Sequence, residues 1–155
     1  VSQGFADPNR LGIGGYSYGG YLSSWSITQT PRFKAAVSGG ILSNLISFYG
    51  TTDNPVYLRV HLGEPPFVEP SLAWQRSPLK HAAQVTTPVM FYGGDSDYRT
   101  PPGQVHEMHR AVEDAGVTTL KVLYPGEGHG FVDRNNQLDL MQRMLDWYGR
   151  YLPAD

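Results

Sequence analysis

The chain has 155 residues, 40% of them apolar and 17% charged, with a formal net charge of −2. That composition suits one soluble globular domain, and Lys and Arg are scattered singly, so no basic face for nucleic acid is expected. No apolar run is long enough to span a bilayer, the N-terminus lacks the charged and apolar segments of a signal peptide, and no cysteine is present for a disulfide or a thiolate nucleophile. The cytoplasm is the expected compartment, and nothing in the sequence calls for a cofactor or a metal.

Val1 to Phe5 reads as the last turn of a helix entering the Asp7-Pro8 turn, as if the chain were part of something longer. Residues 10–14 (RLGIG) predict a first strand, and residues 19–28 a helix with Tyr21, Leu22 and Trp25 at helical spacing. Residues 35–38 (AAVS) predict a second strand. From Asn44 to Ala83 the chain is rich in proline, which keeps helices short and marks a covering excursion rather than sheet. A third strand is expected at 88–92 (PVMFY), a helix at 101–115 closed by Gly116, a fourth strand at 118–123, and a terminal helix at 136–152. Short apolar strands alternating with helices predict an α/β fold with a parallel sheet and helices on both faces.

Ligands of such sheets sit beyond the carboxyl ends of the strands. The loop after the first strand is Gly15-Tyr16-Ser17-Tyr18-Gly19-Gly20, a G-x-S-x-G pattern at a strand-to-helix junction. That is the setting of a nucleophile elbow, in which glycines on either side of the serine avoid collision with neighbouring backbone. After the third strand come Asp95 and Asp97, either of which could be a turn or cap residue, or the acid of a catalytic triad. After the fourth strand, His129 stands between Gly128 and Gly130. Serine, acid, histidine is the chain order of the α/β-hydrolase triad.

Taken together, Gly15 to Gly20, Asp97-Tyr98-Arg99 with Pro101, and Tyr124-Pro125-Gly126-Glu127-Gly128-His129-Gly130-Phe131 resemble the C-terminal catalytic domain of the prolyl oligopeptidase family of serine peptidases. The likeness is strongest to its acylaminoacyl-peptidase and dipeptidyl-peptidase branch, and supporting stretches at residues 6–10, 47–51 and 77–78 extend it over nearly the whole chain. The resemblance implies the C-terminal half of an α/β-hydrolase fold. It also implies Ser17 as nucleophile, His129 as general base, Asp97 rather than Asp95 as the acid, and the backbone N–H of Tyr18 as one donor to the oxyanion. The second donor would come from a loop ahead of the first strand. The implied substrates are short or N-blocked peptides. A carboxylesterase with the same triad, or a non-catalytic fragment lacking part of its oxyanion hole, is the alternative. The first strand, with Leu11 and Ile13, would be an open edge that pairs with another copy or with an upstream segment.

Other residues have plainer readings. His106 and His109 are expected on the surface rather than on a metal. Tyr49, Tyr57 and Phe67 are read as core, with a substrate pocket as the alternative, and Arg99 as an ion-pairing anchor of the acid loop. Leu140, Met144, Leu145 and Trp147 are expected to face the sheet.

Overall fold

The computed structural model describes residues 3–4, 6–68 and 70–153. The reading of Val1 to Phe5 as a helical turn rests on Val1, Ser2 and Phe5 and lies outside the described residues. The strands are β1 (Gly12–Tyr16), β2 (Ala35–Gly39), β3 (Val89–Gly94) and β4 (Thr119–Tyr124). They form one sheet in the order β1-β2-β3-β4, and every pairing is parallel. The helices are α1 (Tyr18–Gln29), α2 (Leu45–Thr51), α3 (Val56–Leu62), α4 (Pro70–Gln75), α5 (Pro102–Asp114) and α6 (Arg134–Tyr151), with a 3-10 helix at Pro78–Gln84.

Burial follows position in the sheet. Every residue of β2 and β3 is buried, whereas β1 and β4 are edges with partly exposed residues. Two central strands covered on both faces need near-continuous apolar or small residues, and AAVSG and VMFYGG supply them. One face of the sheet carries Ala36, Val89 and Phe91 under Ile27 of α1, Ala82 of the 3-10 helix, and Val105, Met108 and Val112 of α5. The opposite face carries Ala35, Val37, Met90 and Tyr92 under Trp147 of α6. Helices therefore lie on both faces, as the alternation of strand and helix predicted.

Strand ends differ from expectation in one direction. β1 was expected at 10–14 and lies at 12–16, because Gly15 and Tyr16 pair in register with Ser38 and Gly39. β3 runs on to Gly94, since Gly93 and Gly94 pair with Leu123 and Tyr124. Glycines that read as turn are the last rungs of the ladder. The inward face of α1 is made mostly of small residues: Gly20, Ser23, Ser24 and Ile27 are buried, while Leu22 is exposed. Small residues let α1 lie close to the sheet, and Ser23 Oγ meets Ser38 Oγ of β2 at 2.7 Å. Leu145 is a second correction. It is exposed, while Trp147 is buried and Leu140 and Met144 pack beside it, because Leu145 lies on the flank of α6 that turns away from the sheet.

Helix starts follow their caps. Asn44 accepts from the backbone N–H of Ile46 and Ser47 at the head of α2, and Asp133 accepts from Asn135 and Asn136 at the head of α6. The Asp133 cap explains why α6 begins at Arg134, ahead of the expected Asn136. The excursion between β2 and β3 is anchored by buried Gln104 of α5, whose side-chain oxygen accepts from the N–H of Ser43 and Asn44 at 2.9 Å each. Its α2, α3 and α4 form their own small core around Leu42, Leu45, Phe48, Leu58 and Ala73. Among the described residues, no helix is long and apolar enough to cross a membrane.

Candidate active site

Ser17 joins the end of β1 to the start of α1, at φ 60° and ψ −120°, and is the one non-glycine residue with positive φ among those described. Such a conformation costs on the order of 1–3 kcal/mol and persists only where the surroundings over-determine it. Here the Ser17 N–H donates to the Gly39 carbonyl of β2 at 2.9 Å, and the Ser17 carbonyl accepts from Tyr21 in the first turn of α1. Tight backbone contact completes the turn. A Cβ on Gly15 would fall 2.4 Å from the Gly19 carbonyl, and one on Gly20 would fall 2.1 Å from the Gly39 oxygen. Gly19 itself has open space where a Cβ would be, so the collision expected on that side of the serine belongs to Gly20 instead. The turn exposes the Ser17 side chain at the carboxyl end of the sheet and leaves the Tyr18 N–H at the head of α1, where a helix has no acceptor of its own.

Beyond β3, Asp97 is 1% exposed, and all its acceptor capacity is engaged. Oδ1 accepts from the N–H of Arg99 and of Thr100 at 2.8 Å each; Oδ2 accepts from Thr100 Oγ1 at 2.7 Å and faces His129 Nδ1 at 2.9 Å. Because a carboxylate only accepts, Nδ1 carries the proton and Nε2 is left to accept. His129 Nε2 lies 3.0 Å from Ser17 Oγ. Serine, imidazole and carboxylate thus form an unbroken hydrogen-bonded line across three loops. Asp95 faces elsewhere: its Oδ1 accepts from Ser96 Oγ and from the Gly126 N–H at 2.7 Å, which ties the acid loop to the histidine loop.

Three further groups shape the site, and their roles were not read from the sequence. Thr100 supplies both a backbone and a hydroxyl donor to Asp97; its spacing three residues after an aspartate is an Asx-type signal that could have found it. Tyr16 donates its phenol O–H to the His129 carbonyl at 2.7 Å. Glu127, 1% exposed, accepts from the N–H of Val132 and Asp133 and from Asn136 Nδ2. These bonds, led by the one from Asn136, hold its carboxyl below the usual glutamate range. Nothing in a strand or loop pattern says where a phenol or a buried carboxylate will reach.

Beside Ser17 lies a hollow of about 130 Å³ whose lining includes Leu42, Phe48 and Tyr57 as well as Asn54, Arg99 and His129. Tyr57 therefore belongs to the hollow. Tyr49 packs edge-to-face on Phe67, and Phe67 is exposed rather than in the core. Arg99 pairs with Asp53 of the excursion, which fixes the acid loop as anticipated. His106 lies 3.1 Å from Lys121 Nζ, and burial with that charge lowers its pKa.

The family model of the prolyl oligopeptidase peptidases matches residues 1–155. The chain belongs to that family. It is 35% identical over 150 residues to the uncharacterized peptidase YuxL of Bacillus subtilis, covering 94% of this chain and 23% of that one. It is 29% identical over 160 residues to the acylamino-acid-releasing enzyme of Arabidopsis thaliana, covering 97% and 21%. A puromycin-hydrolyzing peptidase of Mycobacterium tuberculosis superposes with a TM-score of 0.93 at 35% identity, over 99% of this chain and 24% of that one. The chain thus spans less than a quarter of the length of these relatives, and its fold is that of α/β-hydrolase peptidases.

Proposed function

We propose that this chain carries the acyl-transfer site of a serine peptidase acting on short or N-blocked peptides. The observation that carries the reading is the line from Ser17 Oγ through His129 to Asp97, at 3.0 and 2.9 Å, at the carboxyl ends of parallel strands. Ser17 Oγ attacks the scissile carbonyl carbon as its proton passes to His129 Nε2. The imidazolium keeps its proton on Nδ1 and donates that N–H to Asp97 Oδ2, which holds the ring in the productive tautomer. The Tyr18 N–H faces the developing oxyanion, a contact that strengthens as charge builds on the oxygen. Collapse of the tetrahedral intermediate breaks the C–N bond, and the leaving amine takes the proton from Nε2. Water then repeats the sequence on the acyl-enzyme and frees Ser17.

The apolar wall of the hollow, with Leu42, Phe48 and Tyr57, suits an uncharged side chain next to the scissile bond. Relatives named acylamino-acid-releasing enzymes support a blocked N-terminus on the substrate. The test compares N-acylated peptide anilides with simple acyl esters. Anilide turnover that disappears in Ser17→Ala supports a peptidase. Ester turnover without anilide turnover supports a carboxylesterase, and neither supports a non-catalytic role.

A further inference from the structure

His129 sits between two glycines, and its own backbone makes a single hydrogen bond among the described residues: the carbonyl accepts from Tyr16. Tyr16 is the last residue of β1, paired with Gly39 in the sheet and covalently joined to Ser17. Its ring is wedged among others, 5.7 Å from Tyr92, 6.4 Å from Phe131 and 5.1 Å from the His129 imidazole itself. Burial, together with the Asp97 charge, pushes its phenol far above the usual tyrosine range, which favours the protonated, donating form.

We propose that Tyr16 is a positioning residue for His129: its phenol, bonded to the histidine's own carbonyl, keeps the imidazole in line with Ser17 Oγ. The connection is short. The group that fixes the histidine loop is the residue next to the serine in the chain, so the elbow and the base move together. Between flanking glycines the chain around His129 has wide conformational freedom, and this bond removes much of it. The inference rests on the reading of Ser17 and His129 as the reacting pair, although the tie itself is measurable without any chemistry.

Tyr16→Phe keeps the ring and deletes the donor. Tyr148→Phe is the control, since Tyr148 of α6 donates to the Ile13 carbonyl of the same strand at 2.8 Å, away from the histidine loop. Labelling of Ser17 by a fluorophosphonate is expected to slow about five- to tenfold in Tyr16→Phe and to stay at the wild-type rate in Tyr148→Phe, both rates taken per folded molecule. Amide hydrogen exchange at residues 128–131 is expected to quicken in Tyr16→Phe alone. Equal labelling rates and unchanged exchange in Tyr16→Phe would overturn the proposal. A wild-type protein that does not label counts against the proposed function instead, and the exchange measurement then decides the role of Tyr16 by itself.

Discussion

Glu127 and the elbow glycines show how much of the site depends on groups that never meet a substrate. Glu127 closes the segment from His129 to the head of α6 by accepting from three donors. A carboxyl held below its ordinary value of 4.5 contributes stability that is fully present above that value and is lost as pH falls through the lowered one. Glu127→Gln is therefore expected to lower the thermal midpoint at pH 7 and to flatten its fall on acidification below pH 4.5, as read by circular dichroism across a pH series. For the glycines, Gly15→Ala and Gly20→Ala must each displace backbone and should cost about 1–3 kcal/mol. Gly19→Ala has space and should be near neutral or slightly stabilising, by up to about 1 kcal/mol, within a helix. Urea unfolding of the three variants separates these outcomes. At this scale the sequence named Ser17, Asp97 and His129, which the fold brings into one hydrogen-bonded line. It was silent on Tyr16 and Glu127 as braces, because those contacts bridge a strand to a loop and a loop to a helix, whereas Thr100 braces Asp97 within one loop, where its spacing could have been read.

Elements were legible wherever apolar periodicity was long, and their ends were not. β1 and β3 were expected to stop at Gly14 and at Tyr92, since the glycines that follow read as a turn; in a parallel sheet covered on both faces glycine also serves as a strand residue that permits close approach. The buried face of α1 was not legible for a related reason. Tyr21, Leu22 and Trp25 are the large residues, yet the helix lies on its small ones because Gly20 approaches the β2 backbone. Helix α6 began earlier than expected because Asp133 caps it. Removing that cap with Asp133→Ala should cost about 0.5–2 kcal/mol and fray the first turn, including Asn136, which holds Glu127. A chemical-denaturation series on this variant, with exchange of the 134–137 amides, checks both parts.

The whole molecule explains why a short chain can hold so much of a site. A parallel sheet places every strand's carboxyl end on one rim, so β1, β3 and β4 deliver the serine, acid and histidine loops to the same place. That convergence followed from the alternation of strands and helices before any side chain was placed. The sheet also leaves β1 as an edge, with the Ile13 carbonyl covered by Tyr148. We propose that this edge pairs with a further strand, from an upstream segment or from a second copy. The isolated chain is then expected to self-associate in sedimentation velocity as its concentration rises, and a stable monomer across that range would contradict it. The central claim is that the Ser17 hydroxyl is activated by His129 and Asp97. Its most direct measurement is intact mass after exposure to a fluorophosphonate, which needs an activated serine and no knowledge of the substrate. The account predicts a single adduct on the native protein, absent in Ser17→Ala and strongly slowed in His129→Gln; a folded protein that gains no adduct, or one whose adduct survives Ser17→Ala, would contradict it.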